Sequence, residues 1–149
     1  MLQIAGAMSA GTLLGWAGPI NVRGFMAPAI RAAAEKAGRP APRIGTALPV
    51  CVTDEAEAAR RMAAELFLVY DSVPSYRTIL DREGKATVAD AAIVGPEDVV
   101  REGLATLQDA GVTDFAAAVF AASPEERDRT LAFLGACGAA AATGPPGAK

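Results

Sequence analysis

The residues best equipped for chemistry in this sequence are Tyr70, Ser75, Tyr76 and Arg77, in and beside the polar segment DSVPSYRTILDREGKA at positions 71–86. A phenol hydroxyl can donate to or accept from a bound molecule, and a guanidinium can meet a carboxylate or phosphate through paired hydrogen bonds. The same rings can equally be packing groups, buried with each hydroxyl at a protein partner. A second group is the turn Trp16-Ala17-Gly18-Pro19, just past the carboxyl end of a short apolar run, where α/β folds place ligands. Gly and Pro there serve as well for turn punctuation alone.

Other charged clusters read as helix ends. Gly95-Pro96-Glu97 opens a helix whose free amides could hold an anion, yet Glu97 and Asp98 already bring negative charge to that end. Ser123-Pro124-Glu125-Glu126 combines N-cap, N1 and N3 signals, which makes its carboxylates cap and dipole partners rather than an acid–base pair. Asp54, Glu55 and Glu57 crowd another helix start, and Arg60 and Arg61 fit a solvated face. The glycines from Gly6 to Gly15 match neither GxGxxG nor a P-loop and read as tight packing. Cys51, between Val50 and Val52, fits an inert small hydrophobe with no base beside it.

What is missing narrows the chemistry further. The 149 residues contain no histidine, which removes Ser-His-Asp and Cys-His pairs, His-ligated zinc and an imidazole base. Acid–base work falls to carboxylates, Lys, Tyr or a cofactor. Cys51 and Cys137 form no CxxC pair, so no metal site or disulfide framework is indicated and reduced thiols in the cytoplasm are expected. With 14 Lys and Arg against 17 Asp and Glu, the net charge of -3 gives no footprint for nucleic acid. The longest apolar run, Phe115 to Ala122, falls far short of the ~20 residues that cross a bilayer, and no basic segment precedes the apolar start as a signal peptide requires.

Strands and helices must alternate to position these groups. Residues 2–7 can close a helix. A short strand covers 12–16 and a helix 22–37, with Gly38 and Pro40 as stop signals. Pro28 inside that helix either kinks it or marks where regular helix begins. The clearest strand is RIGTALPVCV, 43–52, where Pro49 predicts a bulge or change of direction. A helix opening at Asp54 follows, with Ala59, Met62, Ala63, Leu66, Val69 and Tyr70 on one apolar face. A short helix over 75–82, another over 96–110, a strand over 114–120 and a helix from Ser123 complete the series. From Gly135 the composition becomes low in complexity. The expectation is α/β with three parallel strands, a domain over 1–135 and a flexible tail over 136–149.

The ordered blocks MLQIAG, GTLLGWAGP, AAAEKAGRPAPRI, LPVCVTDEAEAAR, VPSYRTILDREG, AIVGPEDVV and DAGVTDF resemble the carboxyl-terminal part of luciferase-like monooxygenases, in the branch of LLM class F-420-dependent oxidoreductases. The resemblance runs to about Gly135. It implies a partial TIM (β/α)8 barrel made of the last three βα units, out of eight strands and about 250 residues in a full barrel. The family's Ala-Asp-Gly is Ser9-Ala10-Gly11 here, a carboxylate lost at the amino-terminal side of a strand. The family's phosphate-holding Gly-Pro turn falls before Met1.

What the resemblance implies about function is hydride transfer between a deazaflavin, coenzyme F-420, or alternatively FMN, and a small organic substrate. Trp16 and Gly18 match the stretch lining the cofactor end of the barrel, and Tyr70, Ser75 and Tyr76 match the insertion bordering the active-site mouth. No catalytic residue and no metal ligand is assigned. The expected partners are another copy or a complementary barrel portion, with no nucleic acid and no membrane. The competing expectation is a non-catalytic truncated remnant, or an interaction module that associates through exposed sheet edges.

Overall fold

The computed structural model describes residues 1–142. The chain runs α1 (Leu2–Met8), β1 (Gly11–Gly15), α2 (Pro19–Asn21), a π turn (Val22–Met26), α3 (Ala27–Lys36), β2 (Arg43–Val52) and α4 (Ala56–Leu66). It continues through α5 (Leu68–Asp71), α6 (Pro74–Glu83), a 3₁₀ turn (Val88–Ala91), β3 (Ile93–Gly95), α7 (Glu97–Asp109), β4 (Asp114–Val119) and α8 (Pro124–Ala142).

All strand pairings are parallel, and β2 is central to them. Backbone groups alternate in direction along a strand, so the even-numbered residues of β2 address one edge and the odd-numbered residues the other. Thr113 and Phe120 donate their N–H groups to Ile44 and Val50, which places β4 on the even edge. Trp16 donates to the Ala47 carbonyl, and Thr53 donates to Gly95, which places β1 and β3 on the odd edge. These two strands share that edge end to end: β1 pairs with Arg43 to Ala47 and β3 with Val50 to Val52. Pro49 sits at the break between them. It has no N–H to give, and the strand runs straight past it. The change predicted at Pro49 is therefore a change of partner, not a bulge.

β3 is a fourth strand, where the sequence pattern predicts three. Three residues are too few to display an alternation, and Gly95-Pro96 reads only as a helix start. In the first helical region, Ala27 donates to Val22 across the π turn and Pro28 falls in the first turn of α3. Regular helix begins at the proline, whose missing N–H costs nothing in a first turn. The apolar face expected to continue to Tyr70 breaks at Phe67, the C-cap of α4, and Leu66 and Val69 are exposed. At its other end α8 runs on to Ala142, so 136–142 is helix where a flexible tail is predicted. Alanine, the strongest helix former, explains it. The rest of that tail, 143–149, lies outside the described residues.

One face of the sheet is thickly covered. Ile44 and Leu48 of β2 pack with Leu14 of β1, Ile30 of α3 and Leu107 of α7. Val50 and Val52 pack with Val100 of α7 and Phe133 of α8. Each such side chain contributes about 1.5–3 kcal/mol by leaving water. The opposite face carries Gly45, Ala47, Pro49 and Cys51, flanked in register by Leu13, Asp114, Ala116 and Ala118. α4 covers only its upper end, where Cys51 meets Ala59, Ala63 and Phe120. Lower down Leu13 is 61% exposed, as are Ala116 and Ala118. Among the described residues no strand pairs with the outer edges of β1 or β4.

Candidate functional site

The carboxyl ends of the strands gather five aromatic rings. Trp16 follows β1 directly, Phe120 follows β4, and Phe67, Tyr70 and Tyr76 come from the helical segment that crosses above the sheet. Trp16 lies 5.4 Å from Phe67, 5.2 Å from Tyr70 and 6.3 Å from Tyr76 between ring centroids, and Tyr70 lies 5.6 Å from Tyr76. These are the tilted and edge-to-face geometries that aromatic quadrupoles favour.

Trp16 anchors the group. Its φ of 60° is left-handed, uncommon for a bulky residue and a local strain. The surroundings hold it there: its N–H donates to Ala47 at 3.1 Å and the indole is buried. Tyr76 lies over Gly15, where a Cβ would stand 3.4 Å from the ring. Tyr70 and Tyr76 are half-buried, and neither hydroxyl bonds to a described residue. The cluster therefore offers two uncommitted phenol groups at an apolar wall.

Gly18 stands apart from the rings. It precedes the helix start at Pro19, and the space beside it is filled by the buried carboxylate of Glu83 on α6. Glu83 accepts from the Asn21 N–H at 2.6 Å, the Asn21 Nδ2 at 2.9 Å and the Ile20 N–H at 3.3 Å. An amide cradle that could hold an anion is thus occupied by the protein's own carboxylate. The Gly18 turn as folded does not fit a phosphate, because Glu83 already takes its amides.

Ser75 is exposed on the first turn of α6 and joins none of the ring contacts. Arg77 is committed elsewhere: it binds Asp81 and donates to the carbonyls of Ala86 at 2.6 Å and Lys85 at 2.7 Å, closing the end of α6. The structure therefore brings together Trp16, Tyr70 and Tyr76, and leaves Gly18, Ser75 and Arg77 outside the cluster.

A polar cluster at the same end of the sheet is one the sequence hides. Arg129 of α8 binds Glu97 through Nε and Nη2, both at 2.7 Å, and Asp54 through Nη1 at 3.0 Å. Asp54 does not cap α4, contrary to its spacing, because its carboxylate goes to Arg129. The guanidinium hydrogen bonds hold Glu97 down at about 2. Glu126 caps α8 as predicted, accepting from the Ala122 N–H at 2.7 Å, and also faces Cys51 and Thr53. Burial opposes its ionisation, but hydrogen bonds from Thr53, Ala122 and Cys51 keep its pKa below the ordinary value. Burial first, then the Glu126 charge, push the Cys51 thiol up to about 12. No spacing rule links positions 54, 97 and 129, which meet only through the fold.

The family profile described as Luciferase-like monooxygenase matches residues 1–114. A search of curated proteins by sequence gave no match. Among solved structures, the coenzyme F420-dependent tetrahydromethanopterin reductase from Methanopyrus kandleri is 18% identical with a TM-score of 0.71, over 91% of this chain and 46% of its own. An F420-dependent secondary alcohol dehydrogenase, in complex with an F420-acetone adduct, is 12% identical at a TM-score of 0.70, over 87% and 43%. The FMN-bound oxygenating constituent of 3,6-diketocamphane monooxygenase from Pseudomonas putida is 16% identical at 0.68, over 89% and 43%. At these identities the likeness shows the fold, a partial barrel. The chain spans less than half the length of each of these three structures.

Proposed function

The chain belongs to the luciferase-like monooxygenase family, and on that premise we propose that it forms the carboxyl-terminal βα units of an oxidoreductase barrel, four where the sequence pattern counts three, and one wall of its site. The observation that carries this reading is the meeting of Trp16, Tyr70 and Tyr76 at the carboxyl ends of parallel strands, the end at which barrel enzymes build their sites. Coenzyme F-420, or alternatively FMN, supplies hydride transfer when bound. The chain's own residues position. Trp16 holds the Tyr70 and Tyr76 rings in place, the rings exclude water, and their hydroxyls orient the polar group of a small organic substrate. Ser75 adds a hydroxyl at the rim, and Gly18 leaves room for Glu83 to fix the loop after β1.

Titration of F-420 and of FMN, read by the emission of the single tryptophan, tests this. Saturable quenching with either cofactor supports the wall. No response to both, with the protein folded by circular dichroism, overturns it for this chain.

A second reading, a module that associates through its sheet edges with a complementary barrel portion, is favoured by the unpaired outer edges of β1 and β4. Exposed Leu13, and exposed Ile4 and Met8 on α1, extend that unfinished surface. Sedimentation that shows only a compact monomer at every concentration, with no added mass from a co-expressed barrel portion, rules it out.

A further inference from the structure

We propose that the cleft between α2 and α7 is a separate binding site for a small organic anion with an apolar body. The cleft is an open groove of about 390 Å³, within the range of small-molecule sites. Its floor is apolar, built by Leu48 of β2, Ile93 of β3 and Leu107 of α7. Ile20 and Val99 at its edge are 59% and 45% exposed, apolar surface that a ligand would cover.

The free hydrogen-bond donors decide the chemistry of the ligand. Two carboxylates line the cleft, and both accept hydrogen bonds from the protein. Glu83 accepts from Ile20 and Asn21, and Asp90 accepts from the Thr87 N–H at 2.8 Å and the Thr87 hydroxyl at 3.0 Å. The two cations are less engaged. The Arg60 guanidinium makes one long bond of 3.4 Å to the Val94 carbonyl, and the Lys85 ammonium makes no hydrogen bond or ion pair to a described residue, although its charge reaches Asp90. The formal charges of the cleft cancel, and its free hydrogen-bond donors are the two cations, above an apolar floor. None of its lining residues comes from α1, β1, β4 or α8.

Decanoate, kept below its micelle concentration, is a suitable probe in calorimetric titration, with 1-decanol as its neutral counterpart. Decanoate is expected to bind saturably to one site, at least tenfold tighter than decanol. The double substitution Arg60→Gln and Lys85→Gln removes that preference without altering the melting curve, since neither side chain is part of the core. Val99→Asp, at the exposed edge, weakens decanoate by a similar factor. Equal affinity for decanoate and decanol, binding that never saturates, or an unchanged affinity in the double variant each overturns the proposal. Quenching of Trp16 by decanoate, or competition with F-420, would place the ligand at the aromatic cluster and also overturns it.

Discussion

A Cβ at Gly18 would stand 2.8 Å from the carboxyl carbon of Glu83, so the absence of a side chain at one residue is what lets the other reach the Asn21 and Ile20 amides. Gly18→Ala is expected to push Glu83 off those donors. Leaving buried N–H groups unmet costs about 1–3 kcal/mol, read as a lower urea midpoint. Glu83→Ala should cost a similar amount. The double variant should cost little more than either alone, because both changes break one interaction.

Thr130 of α8 takes the place of a strand at the end of β2. Its hydroxyl accepts from the Val52 N–H at 2.9 Å and donates to the Glu126 carbonyl at 2.9 Å, fully buried. Thr130→Val keeps the shape and orphans the Val52 N–H. A loss of about 1–3 kcal/mol in denaturant unfolding is expected, with Thr130→Ser recovering the hydrogen bonds.

The Arg129 bridge sets an acid limit. Glu97 has an ordinary value near 4.5 and is held at about 2 in the fold. Its contribution to stability is therefore complete above pH 4.5 and is lost as pH falls toward 2. Glu97→Gln should melt lower than the parent at pH 7, with the difference closing between pH 4.5 and 2 in melting curves recorded at constant ionic strength.

The two thiols should react in a fixed order. Cys51 is fully buried with its pKa at about 12, and thiolate is the reactive form. Cys137 is only half-buried. Iodoacetamide at pH 8 followed by peptide mass spectrometry should label Cys137 first and Cys51 only after denaturant is added.

Tyr76 separates packing from binding. Its hydroxyl has no partner among the described residues, so Tyr76→Phe should leave the melting temperature unchanged while weakening substrate. Tyr76→Ala removes ring contacts worth about 0.5–1.5 kcal/mol per pair beyond the area they bury. It should lower the melting temperature and shift Trp16 emission to the red.

Much of the frame is legible because it rests on local rules. RIGTALPVCV announces its strand through β-branched residues and bounding turn signals, and Ser123 to Glu126 announces a helix through its cap. The ring cluster is half legible: Tyr70 and Tyr76 stand out in a polar segment, but their meeting with Trp16 depends on how α4 to α6 cross the sheet. Glu83 and Arg129 are not legible at all. Each reads as one more charge on a helix, and their partners lie about sixty and seventy-five positions away. β3 escapes notice for a different reason, since three residues carry no period.

The outer edges of β1 and β4 lie on opposite sides of β2 and are different surfaces. A contact between copies through them runs head to tail, so an open chain of copies always presents a free edge at each of its two ends. Such a contact closes into a ring only where the rotation between neighbours divides a full turn, and otherwise it grows as a fibre. β4, DFAAAV, carries a single charge, at its first residue, and so lacks the charged residues that usually guard an edge. A lysine at exposed Ala117 would supply that guard and keep the size of the assembly independent of concentration.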